Sequence, residues 1–133
     1  MEMPKPEPTD LSRPYWDALR EGYLVFQRCR CGNAWLPART HCPACLKPEP
    51  RWERASGRGR IVSWVVYHTA YHPAFADKLP YNVALVQLIE GPRLLTNIVD
   101  PNEALAADAP VALKIEWEGD TALARFLLDY TPA

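Results

Sequence analysis

Alternating apolar and polar positions dominate the second half of the chain and predict β-strands. In the segment 111–117, four apolar side chains fall on one side of the alternation: Val111, Leu113, Ile115 and Trp117. A period of two residues is the pattern of a half-buried strand. Similar β-branched and aromatic runs, bounded by Gly-containing turns, predict four more strands, over 61–69, 82–89, 93–99 and 121–128.

The order and spacing of these strands indicate a small barrel. A long loop follows the first strand, and a connection over 100–110, with one helical turn expected within 103–107, follows the third. Five strands within about 75 residues, connected in this way, favour an OB-type barrel, and a small sandwich is the main alternative. The predicted fold class is therefore mainly β.

The N-terminal part carries one short helical pattern. Helix signals begin within 10–14, where Ser12 is a candidate N-cap, and Gly22 ends the pattern. The helix carries Tyr15 and Trp16 and is too short to be stable alone. We expect it to pack either on the rest of the chain or on a partner.

All four cysteines lie within 17 residues, in two close-set pairs: Cys29-Arg30-Cys31 and Cys42-Pro43-Ala44-Cys45. Two such turns bring four thiolates together in the way a structural, tetrahedral Zn²⁺ site requires. Short strands over 23–27 and 34–36 would complete a zinc ribbon. The alternatives are a ribbon that has lost its metal, and a site in which His41 replaces one thiol; a flanking histidine is more often a surface residue.

Composition sets the general class of the protein. The chain has 133 residues, of which 48% are hydrophobic, and no apolar run approaches a membrane span. A Pro-rich, polar N-terminus without a signal peptide predicts a cytoplasmic protein, where thiols stay reduced and favour metal. The expected domains are a tail and helix over 1–22, the ribbon over 23–50 and the OB-fold over 51–133.

Charge is unevenly distributed although the net charge is only −1. The segment 28–60 contains eight basic and two acidic residues, whereas the segment from 61 onward contains four basic and nine acidic residues. A basic surface here would attract phosphates, a nucleotide-bearing cofactor or an acidic partner; the alternative is an ordinary solvated face. The candidate contacts for such a ligand are Arg28, Arg30, Arg39, Arg58 and Arg60.

No catalytic constellation stands out along the chain. His68 and His72 flank Tyr67 and Tyr71, a combination that can serve acid–base chemistry. A polar-rimmed strand end is the favoured alternative, since no carboxylate or nucleophile is evidently paired with them. The pattern therefore favours a binding or assembly role over independent catalysis.

Seven short motifs occur in a fixed order: Gln27-Arg28-Cys29, Cys31-Gly32, Leu36-Pro37-Ala38-Arg39, Cys42-Pro43-Ala44-Cys45, Ser56-Gly57-Arg58-Gly59, and the segments 80–86 (PYNVALV) and 94–99 (LLTNIV). Together they resemble the DUF35 family, in which a rubredoxin-like zinc ribbon precedes an OB-fold. The resemblance covers about residues 10–125. The family usually has two residues between the first two cysteines, where this chain has one.

The resemblance implies a non-catalytic subunit that supports a thiolase-like or lipid-transfer-protein-type enzyme acting on acyl-CoA. It also implies a structural Zn²⁺ and an aldolase or acyltransferase as partner, with steroid or lipid side-chain degradation as one branch. Two-fold symmetry of a thiolase dimer favours a heterotetramer. The arginines would meet CoA phosphates. The loop with Tyr71, His72 and Phe75 would either cap the partner's acyl channel or bury Tyr71 and Phe75 in an interface, unless Phe75 plugs its own barrel.

Two other functions compete with this one. A free-standing acyl-CoA binder would use the same basic residues without a partner. A single-stranded nucleic-acid binder would stack bases on a platform of Trp52, Trp64 and Tyr67. The acidic second half of the chain disfavours nucleic acid, because the barrel itself would carry the groove.

Overall fold

The computed structural model of the protein describes residues 8–69 and 79–130. Within these residues the chain forms one helix and two antiparallel sheets. The elements are α1 (Arg13–Glu21), β1 (Val25–Arg28), β2 (Ala34–Trp35), β3 (Arg51–Arg54), β4 (Arg58–Tyr67), β5 (Tyr81–Leu88), β6 (Arg93–Thr96), β7 (Pro110–Glu118) and β8 (Thr121–Leu128). The small sheet has the order β2-β1-β3 and the large sheet the order β6-β5-β4-β7-β8.

Helix α1 begins and ends where its sequence signals predict. It ends at Gly22, whose left-handed backbone (φ 103°) lets its amide donate to Leu19 O at 3.1 Å. Ser12 occupies the N-cap position but makes no side-chain cap, because its Oγ accepts from Thr9 N at 2.9 Å instead. The helix has nine residues, and the described part of the chain contains no helix that could span a bilayer.

The large sheet curls into the OB arrangement, as the strand spacing predicted. Strand β4 pairs with β5 along most of its length and with β7 at its first residues. Beyond β6, Ile98 forms a parallel bridge with Phe126 of β8, and Val99 N donates to Phe126 O at 2.9 Å. The two outer strands of the sheet therefore meet, which leaves a partly closed barrel.

One hydrophobic core joins the helix, the small sheet and the barrel. Phe26 of β1 and Leu19 of α1 are buried in the same cluster as Ile61, Val86 and Phe126 of the barrel. Each of these side chains is at most 1% exposed. The helix thus packs on its own chain, which was one of the two expectations for it.

Several predicted boundaries differ from the structure for identifiable reasons. The strand predicted over 93–99 ends at Thr96, where its pairing with β5 ends. Beyond it the Asn82 side chain bonds the backbone of Ile98, and the backbone pairs with Phe126 of β8 instead. Trp117 belongs to the apolar side of the predicted alternation, yet it is 54% exposed, since it lies beside the hairpin turn at the end of β7. The helical turn expected within 103–107 is a 3₁₀ turn at Asn102–Ala104.

Candidate metal centre

The first cysteine pair lies on the hairpin between β1 and β2. Cys29 N donates to Asn33 O at 2.9 Å, and Gly32 N donates to Cys29 O at 2.9 Å. Gly32 has φ 96°, a left-handed conformation that glycine adopts without steric cost. This glycine allows the hairpin to turn tightly enough for a pair with only one intervening residue.

The second pair lies on a similar turn. Cys42 N donates to Lys47 O and Leu46 N donates to Cys42 O, both at 2.9 Å. Leu46 has φ 65°, so a leucine takes the left-handed position that a glycine would fill without strain.

The four sulfur atoms converge on one point. All four Sγ atoms lie within 4.8 Å of one another. The Cys29–Cys45 and Cys31–Cys42 Sγ distances are 3.4 and 3.7 Å. A tetrahedral zinc with Zn–S bonds near 2.3 Å holds its sulfurs about 3.8 Å apart. The residues present therefore fit a structural zinc, and four thiolate ligands would leave it no open coordination position.

Backbone amides prepare the site for thiolate charge. Burial raises the pKa of the Cys42 thiol, but amide donors outweigh that effect and lower it to about 6. These donors are the backbone N–H groups of Cys45 and Ala44, both 3.4 Å from Cys42 Sγ. Asn33 Nδ2, at 3.7 Å, adds a third donor. The pKa of Cys29 is also lowered, chiefly by the Cys31 amide.

Crowding has the opposite effect on Cys45. The Lys47 amide lowers the pKa of Cys45, but burial and the neighbouring thiols raise it to about 12. Thiolates this close repel one another, so the full set ionises only when a dication binds among them. The pKa shifts of Cys29, Cys42 and Cys45 therefore agree with a site that binds a dication.

A buried polar group supports the metal ligands from inside the small sheet. Gln27, only 2% exposed, accepts hydrogen bonds from Trp35 Nε1 at 2.8 Å and Arg39 N at 2.6 Å. Trp35 packs against Cys29 and Cys42 in a separate buried cluster. Gln27 was not among the predicted site residues; its signal was a polar residue at a core position of a strand.

His41 lies beside the site and is not part of it. Its Nδ1 is 3.0 Å from Thr40 Oγ1, and the ring is exposed. The close-set group of ligand atoms consists of the four thiols. The surface alternative for this histidine is therefore the one observed.

The five candidate arginines lie on two parts of the chain. Arg28, Arg30 and Arg39 belong to the ribbon part, whereas Arg58 and Arg60 lie on β4 of the barrel. Three of the five are held by acidic side chains: Arg28 Nε is 2.9 Å from Glu53 Oε2, Arg58 is 3.3 Å from Asp129, and Arg60 pairs with Asp108.

Arg30 and Arg39 differ from the other three. Both side chains are exposed, and no acidic side chain in the described segments pairs with either. Their charge is therefore available to a phosphate or an acidic partner to a degree that the charge of Arg28, Arg58 and Arg60 is not.

The predicted histidine and tyrosine group is only partly described. Tyr67 stacks on Tyr81 with ring centroids 5.2 Å apart, and His68 is exposed just after β4. Tyr71 and His72, and with them the predicted loop residue Phe75, lie outside the described residues. The roles predicted for these three residues stay predictions.

The aromatic platform expected of a nucleic-acid binder does not form. Trp64 packs against the barrel core, whereas Trp52 lies on β3 in the other sheet. Tyr67 lies on the outer side of β4, three positions beyond Trp64. The three side chains therefore do not share a surface on which successive bases could stack.

A pair of asparagines, of which Asn82 is buried, links β5 to the segment after β6 and was not predicted from the sequence. Asn82 Nδ2 donates to Ile98 O and Asn82 Oδ1 accepts from Ile98 N, both at 2.8 Å. Asn97 Nδ2 donates in return to Asn82 O. The available signal was Asn82 at an inward position of an alternating strand, where an amide needs internal partners.

Comparison with known proteins agrees with this architecture. Residues 16–51 match the family model described as the ChsH2 rubredoxin-like zinc ribbon domain, and residues 52–116 match the ChsH2 C-terminal OB-fold domain. A solved chain described as Ltp2-ChsH2(DUF35) aldolase superposes with a TM-score of 0.82 at 32% identity, covering 93% of this chain and 98% of that one.

Curated relatives extend the comparison. A DUF35 domain-containing scaffold protein of Methanothermobacter thermautotrophicus is 34% identical, covering 88% of this chain and 92% of the relative. Its counterpart in Pyrococcus furiosus is 35% identical over 71% of this chain and 68% of the relative. A probable enoyl-CoA hydratase alpha subunit of Thermomonospora curvata is 41% identical over 64% of this chain, which spans only 26% of that protein.

Fold and site together define a protein with a rubredoxin-like zinc ribbon joined to an OB-fold. The matches to both domain models and to full-length relatives identify the family within that class: the chain belongs to the DUF35 family.

Proposed function

We propose that this protein is a non-catalytic accessory subunit of a thiolase-fold enzyme that acts on acyl-CoA, an aldolase or an acyltransferase. The observation that carries the proposal is the likeness, over nearly the full length of both chains, to a chain of the Ltp2-ChsH2(DUF35) aldolase. The names of the archaeal relatives, which describe scaffold proteins, support an assembly role. The name of the Thermomonospora relative supports CoA thioesters as the substrate class.

The zinc-binding geometry supports a structural role for the metal. A metal held by Cys29, Cys31, Cys42 and Cys45 has no position left for a substrate or an activated water. The ion would instead stiffen the two turns that follow β1 and β2. In this proposal the chemistry belongs to the partner, and the metal keeps the fold of the accessory subunit rigid.

The acyl-CoA contact is the finer part of the proposal. We assign the CoA phosphates, or acidic groups of the partner, to Arg30 and Arg39 in preference to Arg28, Arg58 and Arg60, which hold acidic side chains of this chain. The proposed setting is a cytoplasmic heterotetramer, two copies on an enzyme dimer, in lipid or steroid side-chain degradation. The loop residues Tyr71, His72 and Phe75 are proposed to face the partner's acyl channel.

Affinity capture from the native host tests the accessory role. Tagged protein is recovered from lysate, and bound proteins are identified and quantified by mass spectrometry. We expect a thiolase-like enzyme in near-equal amount. The purified complex should then turn over acyl-CoA substrates, and the isolated protein should not.

Two results would contradict the proposal. Robust turnover of acyl-CoA by the isolated protein would show that it is itself an enzyme and not a non-catalytic subunit. Recovery of no enzyme partner would favour the free-standing acyl-CoA binder, which the available charge of Arg30 and Arg39 supports as the second candidate. Calorimetry with CoA esters in the absence of any partner distinguishes that candidate, and an Arg30→Ala, Arg39→Ala double variant should then weaken binding.

A further inference from the structure

On the outer surface of the barrel, the described residues leave an apolar face uncovered. On the sheet formed by β4, β5 and β6, cross-strand neighbours point away from the core: Val65 pairs with Val83, and Leu85 with Leu95. Leu95 is 72% exposed and Val65 is 53% exposed. We name these four residues, Val65, Val83, Leu85 and Leu95, the outer face.

The opposite side of the same strands is the barrel core, so at the four outer-face positions the sheet carries apolar side chains on both sides. Trp64 and Ala84, which alternate with the outer-face residues, pack inward, and β5 alternates strictly between half-buried and buried positions. An antiparallel sheet with one solvated side normally places polar residues there. A contiguous exposed apolar patch is instead the mark of an interaction surface.

The outer face continues into a groove beside the N-terminal helix. A cavity of about 440 Å³ lies between α1, the segment after β2, and β5–β6. Trp16 and Pro37 form one side, and Leu85 and Leu95, which belong to the outer face, form the other. The groove and the outer face are therefore one continuous surface.

Positive charge borders this surface. Arg93 lines the groove, and Arg39 follows Ala38, another groove residue. Among the described residues no acidic side chain pairs with either arginine. An occupant that is apolar at its centre and carries carboxylates at its edge would complement this arrangement.

The side chains of the outer face also indicate which class of partner it binds. OB-folds bind oligonucleotides on the side of their second and third strands, which here are β5 and β6. Base stacking needs open aromatic planes and a basic groove. In this chain the exposed large hydrophobic residues on β4 and β6, Val65 and Leu95, are aliphatic, and the nearby Tyr67 and Tyr81 stack on each other. Aliphatic side chains rimmed by two arginines suit a protein surface.

We propose that the outer face and its groove are the surface on which the partner enzyme docks, through an apolar segment of that enzyme flanked by carboxylates. This inference rests on the proposed accessory function and adds to it the location and the chemistry of the contact. Leu95, at the junction of face and groove, is expected to be the central anchor.

Titration with the purified enzyme identified by affinity capture tests the location. Leu95→Glu and Val65→Glu each place a charge on the outer face, and Leu46→Glu is the matched control, since Leu46 is also 72% exposed but lies on the second cysteine turn. We expect the two outer-face variants to raise Kd by about tenfold or more, and the control by less than about threefold. Arg93→Glu should weaken binding and Arg93→Lys should largely restore it.

Folding is checked for every variant by its thermal unfolding temperature, and Leu95→Ser repeats the test without adding a charge. Wild-type affinity in both outer-face variants would overturn the docking proposal while leaving the accessory function standing. Failure of the wild-type protein to capture any thiolase-like enzyme would overturn both. If sedimentation shows that wild-type protein self-associates, and Leu95→Glu abolishes this without affecting enzyme binding, the face joins two copies of this chain and the docking proposal is wrong.

Discussion

At some residues, the backbone angles and the room around the Cα atom decide which side chains are tolerated. Gly59 lies inside β4, where a Cβ atom would come within 2.5 Å of Gln87 O and 3.1 Å of Val86 Cγ1. Leu46 shows the reverse case, because it occupies a left-handed backbone position that has ample room and favours glycine. These two positions give opposite expectations for substitution.

Gly59→Ala should destabilise the protein by roughly 2 kcal/mol or more, because the backbone of β5 must move to admit a methyl group. Thermal or urea unfolding monitored by tryptophan fluorescence measures the change. Ser63→Ala, at an exposed position on the same strand, is the control and should have little effect. Equal stability of both variants would show that β5 shifts to admit the methyl group without a measurable loss of stability.

Leu46→Gly should stabilise the protein relative to Leu46→Ala. Both variants remove an exposed side chain, but only glycine relieves the left-handed backbone, whose cost of about 1 kcal/mol or more exceeds the entropy glycine adds to the unfolded chain. The difference in unfolding temperature between the two variants measures the relief. A less stable glycine variant would contradict the role assigned to the backbone angle.

At the scale of elements, the ribbon depends on a metal site and on ion pairs between strands. The small sheet has only ten residues in three strands, too few to bury a core of its own. Glu53 of β3 accepts from Arg28 of the neighbouring β1 and from Arg51, each at 2.9 Å. The Arg28–Glu53 pair joins β1 to β3, and the four cysteines join the two turns.

Purified protein should contain one zinc per chain, and its removal should lower the unfolding temperature by roughly 5 °C or more. Elemental analysis and calorimetry with and without chelator make the measurement. Cys42→Ser should lose the metal and become insensitive to chelator, since Cys42 is buried at the centre of the ligand set. Purified protein that contains no zinc and melts at the same temperature with and without chelator would show that the four cysteines do not hold a structural metal.

The Glu53 ion pairs should make stability depend on pH in the acid range. A hydrogen bond from Arg28 and a weaker effect of the hydrogen bond from Arg51 lower the pKa of Glu53 below its ordinary 4.5. The folded state therefore favours the carboxylate, and this contribution is present above pH 4.5 and is lost as pH falls through the lowered pKa. As pH falls through that range, the difference in unfolding free energy between wild type and Glu53→Gln should therefore decrease. A difference that stays constant with pH would contradict the assignment.

At the scale of the whole molecule, the shared core makes ribbon and barrel depend on each other. Leu19 of α1 and Phe26 of β1 are buried together with barrel residues. Ala55 N also donates to Leu24 O at 2.8 Å, where the chain passes from one sheet toward the other. A separate unfolding of the two parts would expose this common core.

The zinc-loaded protein should therefore unfold in one transition, with coincident curves from far-UV circular dichroism and tryptophan fluorescence. Leu19→Ala should lower the stability by about 2–5 kcal/mol and shift both curves together. Leu11→Ala, at an exposed position before the same helix, is the control. Two separated transitions would mean that the ribbon and the barrel fold independently.

Much of the local structure follows from the sequence because its signals act over a few residues. The helix end at Gly22, the strand alternation of β7 and the turn of Cys42 to Cys45 are all produced by neighbours along the chain. The metal chemistry also follows from the sequence, since two close-set cysteine pairs within 17 residues have the spacing of a four-thiolate zinc site. These local features together determine the ribbon-plus-barrel class.

Tertiary structure alone decided which apolar residues are covered. Leu85 and Val86 are adjacent and equally hydrophobic, yet Val86 is fully buried while Leu85 faces the outer side of the sheet beside exposed Leu95. It also decided that Arg28 meets Glu53 and that Asn82 meets Ile98. The reason is physical: periodicity states that a strand has two sides, but burial depends on what distant segments bring against each side.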